Sequence, residues 1–183
     1  ADPIKKIFYS RRVNRITGFL PLDSLLVSTQ GSMHRIYADT GIVSPLSLQV
    51  KAQSEDGYEA GQPITVGGAG LFVKSGGRSV HAYGYTYQDN LYKSTDLTIL
   101  AEHYFQDDRI VDWCYQREPH SVIWCVMESG KLLSLVFIPD QEMIAWTEHA
   151  LDTVNPVSLY RANSALSICS VREGSTDACY IAI

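Results

Sequence analysis

The chain has 183 residues, of which 45% are apolar and 19% are charged, and its formal net charge is -5 at pH 7. This composition is typical of a globular protein and not of a disordered segment. The acidic balance excludes a broad cationic surface for nucleic acid, although nucleic acid can still pass such a surface. No apolar run reaches the length of a membrane span. Eleven tyrosines, five phenylalanines and three tryptophans favour strands over helices.

The N-terminal segment is basic and carries alternating apolar residues. Its charges are Lys5, Lys6, Arg11, Arg12 and Arg15. The interleaved apolar residues favour an edge strand or arm over a contact to nucleic acid or to an acidic partner. The chain begins without methionine and stops at Ile183 in a strand-like apolar stretch. We therefore expect a piece of a longer protein.

Four segments repeat one pattern of an apolar strand, a short turn with glycine, and a second strand. The turn glycines are Gly31, Gly76, Gly130 and Gly174, at intervals of 45, 54 and 44 residues. Glycine supplies the positive φ of a tight hairpin turn. Propeller blades of four strands recur at about 40 to 50 residues. The repeat predicts an all-β fold, a β-propeller or partial propeller of four-stranded antiparallel blades.

The first two units are predicted as blades at residues 15–53 and 63–108. Their predicted strands are Thr17–Pro21, Leu25–Ser28, Met33–Ala38, Leu46–Ala52, Ile64–Val66, Gly70–Lys74 and Ser79–Tyr87. The glycine-rich run Gly67–Gly70 precedes a strand and not a helix, so it cannot offer a helix N-terminus to phosphate. We interpret that run as a loop or a bulge.

One segment of the second unit breaks the strand pattern. Leu97, Leu100, Ala101 and Tyr104 share a face at helical spacing, and Thr95 or Asp96 could cap the start. These residues predict a short inserted helix over residues 95–105. The insertion would account for the long interval of 54 residues.

The third unit, residues 109–149, has the most complete blade pattern. Its predicted strands are Ile110–Gln116, Val122–Met127, Lys131–Ile138 and Glu142–His149. The second of these is apolar at every position, which predicts burial on both faces. Residues 155–183 predict an incomplete fourth blade around Gly174.

No motif for catalysis, cofactor binding or metal binding stands out, so we expect no site residue of any of these kinds and no enzyme. The histidines (His34, His81, His103, His120 and His149) are scattered without metal-ligand spacing. The neighbouring acids Asp107–Asp108 and Glu55–Asp56 point apart on an extended chain, which disfavours a paired acid and base role. A site assembled from distant strands in a propeller channel stays open.

The four cysteines, Cys114, Cys125, Cys169 and Cys179, fall in or beside apolar strands. They lack zinc-site spacing, and we expect four reduced, small core residues. A cross-strand disulfide within either neighbouring pair is the alternative, and it would require an oxidising compartment.

The third unit carries a string of motifs that resembles a phage tail-protein signature. The string comprises Arg109–Gln116, Pro119, Ile123, Trp124, Gly130–Leu132, Gln141, Glu142 and Ala145–His149. Upstream, the similar positions are Ser44, Pro45, Gly57, Pro63, Leu71–Val73, Gly77, Arg78, Tyr92, Asp96–Thr98, Ala101 and His103. The chain thus resembles, over residues 25–183, the tail nozzle, tail-tube and packaged-DNA stabilisation proteins of short-tailed phages or prophages. The order Gln-Glu and the ending Thr-Glu-His depart from the usual form.

The resemblance implies a virion tail component, assembled in the bacterial host cytoplasm, that contributes to tail assembly and to the DNA retention and ejection channel. The implied partners are other copies in a ring, portal and adaptor proteins, and fibre or spike proteins, with DNA only in transit. No cofactor is implied. Trp124 and Trp146 are expected to pack the blades, and residues Tyr83–Asp108 are the candidate contact for a subunit or tail partner. The alternatives are a cellular propeller scaffold for protein interactions and a glycan-binding propeller.

Overall fold

The computed structural model describes residues 14–38, 44–59, 61–86, 91–151 and 164–183, together with residues 5 and 41. These residues confirm the all-β class, because their strands form four antiparallel sheets. The strands are β1 (Ile16–Pro21), β2 (Leu25–Thr29), β3 (Met33–Ala38), β4 (Leu48–Ser54), β5 (Ile64–Val66), β6 (Ala69–Val73), β7 (Val80–Thr86), β8 (Leu91–Asp96), β9 (Ile110–Gln116), β10 (Val122–Met127), β11 (Leu132–Ile138), β12 (Met143–His149), β13 (Ser167–Glu173) and β14 (Thr176–Ala182). The sheets are β1-β2-β3-β4, β5-β6-β7-β8, β9-β10-β11-β12 and β13-β14, so each strand pairs with its neighbour in sequence.

The third sheet follows the sequence pattern most closely. Its first two strands have the predicted bounds, and the other two begin one residue later than predicted. Strand β10 is enclosed on both sides, since Ile123 and Cys125 are buried on one face and Val126 on the other. The predicted burial of this strand on both faces is confirmed.

The predicted helix over residues 95–105 is wrong. Strand β8 continues to Asp96, and the following segment contains one 3₁₀ turn, Glu102–Tyr104. The carboxylate of Asp96 accepts hydrogen bonds from the backbone N–H of Thr98 at 2.7 Å and from its hydroxyl at 2.5 Å. Such local bonds compete with helical backbone bonds. The presumed apolar face is also divided, because Leu97 is buried whereas Leu100 is 86% exposed.

The glycine turns fulfil their expected role at three of four positions. Gly76, Gly130 and Gly174 have positive φ, whereas Gly31 does not. At Gly31 the constraint is space, since an added Cβ would lie 2.5 Å from Nδ2 of Asn14. The run Gly67–Gly70 was predicted as a loop or bulge. Its first two residues form the two-residue loop of a hairpin, both with positive φ, and β6 begins directly after them at Ala69.

The chain divides into two compact units, Ala1–Ser75 with Ala82–Thr95 and Gly76–His81 with Asp96–Ile183. In the first unit, two sheets pack face to face around a buried cluster. The first sheet contributes Leu20, Leu26 and Met33 to this cluster. The second sheet contributes Phe72 and Tyr83, and the segment that precedes it contributes Tyr58. The approach is closest at Gly70, where any Cβ would overlap the side chain of Leu20. This contact explains a glycine inside a buried strand.

In the second unit, the hairpin β13–β14 packs on the face of β9, β10 and β11. The shared buried cluster contains Val126, Leu132, Ala165 and Ile168, with Cys114, Trp124, Leu151 and Ile181 packed against it. The backbone N–H of Ile168 donates to the Asp112 carboxylate at 2.9 Å, which ties β13 to β9. The fourth sheet is therefore held by both apolar burial and a polar anchor.

A common junction precedes the first strand of each later sheet. The N–H of Tyr58 donates to the carbonyl of Thr29 at 3.0 Å, that of Ile110 to Gly77 at 2.8 Å, and that of Ala165 to Gly130 at 2.9 Å. In each case the donor precedes or begins the first strand, and the acceptor lies at a turn between a second and a third strand. Strand β13 thus corresponds to β5 and β9. Gly174 therefore lies in the turn between the first and second strands of its unit. Its spacing had predicted the turn between the second and third strands.

Candidate functional site

The motif residues of the third sheet bond to one another. Trp124 donates its indole N–H to Oε1 of Gln116 at 2.9 Å, and its ring centroid lies 4.9 Å from that of His149. Nε2 of His149 shares a hydrogen bond of 2.8 Å with the hydroxyl of Ser134 on the adjacent strand. These contacts tie β9, β10, β11 and β12 together across one face. Trp124, Ser134 and His149 pair their polar atoms within the sheet, and the side chain of Gln116 also donates to the carbonyl of Asp177 in β14, which is the pattern of a structural network.

Trp146 has an equivalent role on the opposite face of the third sheet. Its indole N–H donates to the carbonyl of Leu97 at 2.8 Å. Its ring meets Phe105 edge to face, with the centroids 5.0 Å apart. Both motif tryptophans therefore pack within the second unit.

Only part of the candidate contact segment Tyr83–Asp108 fits that role in the residues that the structure describes. Tyr83 is fully buried in the first unit, and residues 87–90 lie outside the described ranges. Among the residues of this segment whose exposure the structure describes, apolar surface is presented by residues 97–108, which we call the contact loop. Ile99 and Leu100 are 63% and 86% exposed at its tip, whereas Leu97 and Phe105 anchor it in the core. The contact loop therefore presents two adjacent apolar side chains from a hydrogen-bonded turn.

A buried hydroxyl network lies in the core of the first unit. The hydroxyls of Tyr58 and Tyr83 are hydrogen-bonded to each other, and Ser54 lies 2.8 Å from the hydroxyl of Tyr83. Burial, together with the charge that Tyr83 would carry if ionised, raises the pKa of Tyr58 far above its usual range. The phenol of Tyr58 therefore stays neutral at physiological pH, and its hydrogen bond to Tyr83 stabilises the fold.

The acidic pairs of the sequence are engaged separately. Asp56 forms an ion pair with Lys74 at 2.9 Å. Asp108 accepts a hydrogen bond from the N–H of Ser129 at 3.2 Å and another from its hydroxyl. Asp56 and Asp108 therefore each bond to a residue outside their own acidic pair.

Asp177, which the sequence did not single out, anchors the second hairpin strand. Its Oδ2 accepts the backbone N–H groups of Arg117 at 2.7 Å and Glu118 at 2.9 Å. The N–H of Glu118, followed by that of Arg117, holds the pKa of this carboxyl below its usual range. Asp177 therefore remains ionised where β14 meets the end of β9.

The histidines have different surroundings. His34 is buried with Nε2 2.8 Å from the hydroxyl of Ser32, and burial lowers its pKa. His81 is also buried, with its Nε2 3.8 Å from Asp96. Within the described ranges, no three His, Cys, Asp or Glu side chains converge to hold a metal ion.

The cysteines are reduced, but they are not all core residues. Cys125 is fully buried, Cys114 and Cys179 are half-buried, and Cys169 is exposed. The core prediction is therefore wrong for Cys169, because its position in β13 faces away from the third sheet.

Most of the basic N-terminal segment, including Lys6, Arg11 and Arg12, lies outside the described residues.

In the part of the chain that the structure describes, no helix has the length and apolarity needed to cross a bilayer. No protein-family model and no curated protein matches this chain.

Proposed function

We propose that this chain is a structural component of a phage or prophage tail, of the nozzle or tail-tube kind, and acts through assembly and not catalysis. The observation that carries the proposal is the network of Gln116, Trp124, Ser134 and His149. Three of these residues belong to the motif string that resembles the tail proteins, and their side chains bond the strands of the sheet to one another. Motif residues that stabilise a sheet fit a structural protein.

We also propose that the sheets are blades of a propeller or partial propeller. Two features support this proposal. The sheets follow one another along the chain, and three contain four strands in sequence order. The junctions at Tyr58, Ile110 and Ala165 repeat one backbone contact, as expected when each unit is added in the same way. On this proposal, β13–β14 is the first half of a further blade.

In the assembled tail we expect this protein to form part of a homo-oligomeric ring that contacts portal or adaptor proteins and supports fibres or spikes. DNA would be a transiting molecule only. A net charge of -5 suits such a conduit, because strong attraction to phosphate would add salt-dependent binding and slow passage. The proposed location is the virion tail, after assembly in the host cytoplasm.

The contact loop is the proposed surface for a neighbouring subunit or tail partner. Exposed Ile99 and Leu100 at its tip support this assignment, since adjacent exposed apolar residues favour burial against a partner. Leu97 and Phe105 are buried and hold the loop in place. A partner would therefore meet a largely preformed surface.

The first test is to locate the protein in particles. Antibodies raised against this chain are applied to purified virions or induced prophage particles and imaged by immunogold electron microscopy. We expect label at the tail of intact particles. Recovery of the protein only in the soluble cell fraction, with unlabelled particles, would overturn the proposal.

The second test addresses the contact loop. Ile99→Ser with Leu100→Ser should reduce incorporation into particles while the isolated protein keeps its thermal stability. Leu46→Ser is the matched control, because Leu46 is also highly exposed but lies in the first unit. Equal incorporation of both variants would exclude the contact loop while leaving the tail assignment to the labelling test.

A further inference from the structure

Two thiols from different sheets face each other in the second unit. Cys114 lies in the middle of β9, and Cys179 lies in the middle of β14. Cys114 packs against the buried cluster that the third sheet shares with the hairpin β13–β14. Its side chain therefore points toward that hairpin.

The register of the hairpin shows which of its cysteines points back. Antiparallel partners share a face, and faces alternate along a strand. Ile168 pairs with Ile181, and both pack against the third sheet. Cys179 lies two residues from Ile181 and shares its face, whereas Cys169 pairs with Tyr180 on the opposite, exposed face. Only Cys179 of the hairpin is directed at Cys114.

Backbone anchors hold the two strands on either side of these thiols. On one side the N–H of Ile168 donates to Asp112 at 2.9 Å. On the other side the N–H of Asp177 donates to the carbonyl of Glu118 at 3.0 Å. Cys114 and Cys179 lie between these anchors on the facing sides of β9 and β14. Their separation is thus fixed by contacts on both sides.

We propose that Cys114 and Cys179 form a disulfide that links the hairpin β13–β14 to the third sheet when an oxidant such as oxidised glutathione is present. One protein thiolate attacks the oxidised glutathione, forming a mixed disulfide and releasing one glutathione thiolate. The second protein thiolate then displaces the bound glutathione, and the S–S bond closes. Two protein thiols are oxidised, and one oxidised glutathione becomes two reduced ones.

The same geometry excludes the disulfides considered from the sequence. Cys125 pairs with Trp113 and not with Cys114, so Cys114 and Cys125 lie on opposite faces of the third sheet. Cys169 and Cys179 likewise lie on opposite faces of the hairpin. The pairing that the structure favours joins two consecutive sheets through cysteines that are far apart in sequence.

The reaction should be slow at neutral pH. Burial, followed by the neighbouring Cys179 and then Asp112, raises the pKa of Cys114 to about 12. Burial also raises the pKa of Cys179, with Asp177 and Cys169 as the nearby charged or titratable groups that add to it. Because the thiolate is the nucleophile, the rate should rise about tenfold for each pH unit between about 7 and 9.

The test uses the native chain with oxidised glutathione at pH 8, followed by alkylation of free thiols, digestion and mass spectrometry. We expect one internal disulfide, between the peptides that carry Cys114 and Cys179. It should disappear in Cys179→Ser and persist in Cys169→Ser, the matched control in the same hairpin. Failure to form it, a Cys169 linkage, or a persistent glutathione adduct on either thiol would overturn the proposal.

Thermal unfolding gives a second readout that does not require a cysteine substitution. The oxidised chain should unfold at a higher temperature than the reduced chain, and dithiothreitol should reverse the shift. Cys179→Ser should show no such shift. A disulfide that lowers the unfolding temperature would contradict a pair positioned for closure.

Discussion

The Cα of Gly57 lies so close to the backbone carbonyl of Gln30 that no side chain fits between them. The adjacent residue Tyr58 donates its N–H to Thr29, and the carbonyl of Gly57 accepts the N–H of Ser75 at 2.8 Å. Gly57 is therefore enclosed by the residues that follow β2 and β6. The contact fixes where the second sheet of the first unit begins.

Gly57→Ala should destabilise the first unit by about 2 kcal/mol or more, because the new methyl group overlaps a backbone atom that cannot rotate away. Gly84→Ala is the control, since a Cβ at Gly84 meets nothing within 4 Å and its φ is not positive. Urea unfolding of both variants measures the difference. Equal unfolding midpoints would show that the segment around Gly57 can shift to accept a side chain.

Tyr83→Phe should cost about 1 to 3 kcal/mol, since it leaves the buried hydroxyl of Tyr58 without its closest partner. Tyr115→Phe, which removes a hydroxyl bonded to Ser121 at a partly buried site, should cost less. Chemical denaturation compares the two variants. A larger loss for Tyr115→Phe would contradict the central place of the Tyr58 and Tyr83 pair in the core.

The same pair predicts sensitivity to alkali. The folded-state pKa of Tyr58 is raised, so stability is complete below the unfolded value of about 10 and falls as the pH rises above it. Thermal unfolding at pH 8 to 11 measures the slope. In Tyr58→Phe the unfolding temperature should fall less steeply with pH than in the unsubstituted protein.

Acid should weaken the first unit through His34. Burial lowers its folded-state pKa, so above the unfolded value of about 6.5 the imidazole is neutral in both states. As the pH falls below 6.5, the unfolded chain takes up a proton that the folded chain resists, and stability declines. Unfolding temperatures at pH 7.5, 6 and 5 should fall less in His34→Gln. Substitution of exposed His120 by Gln serves as the control.

Local patterns were enough to predict the strands of the third sheet. There, an apolar run and a turn glycine act in the same direction, and β9 and β10 have their predicted bounds. Residues 95–105 misled because a loop that buries Leu97, Ala101 and Phe105 also places apolar residues at helical spacing. The deciding bonds, which Thr98 donates to Asp96 and Trp146 donates to Leu97, depend on side-chain chemistry and on distant packing.

The sheet-to-sheet contacts could not be predicted from spacing. The four turn glycines occupy equivalent places in the sequence pattern, but their surroundings differ. The carbonyl of Gly130 accepts the N–H of Ala165 at the start of the next unit, whereas nothing lies within 4 Å of a Cβ at Gly174. Likewise, no local signal shows that Cys114 faces Cys179. Both relationships depend on how one sheet packs on another, and that is a long-range property.

Trp124→Phe tests whether the third-sheet network is a connected unit. The change keeps an aromatic ring but removes the indole N–H bond to Gln116, and we expect a loss of about 1 kcal/mol. Gln116→Leu removes the same bond along with its contact to the carbonyl of Asp177, so it should cost more. Because both single changes break one shared bond, the double variant should lose less than the two losses combined, by about 0.5 to 1 kcal/mol. Urea unfolding of all four proteins measures this coupling, and strict additivity would mean that the indole and the amide stabilise the sheet independently.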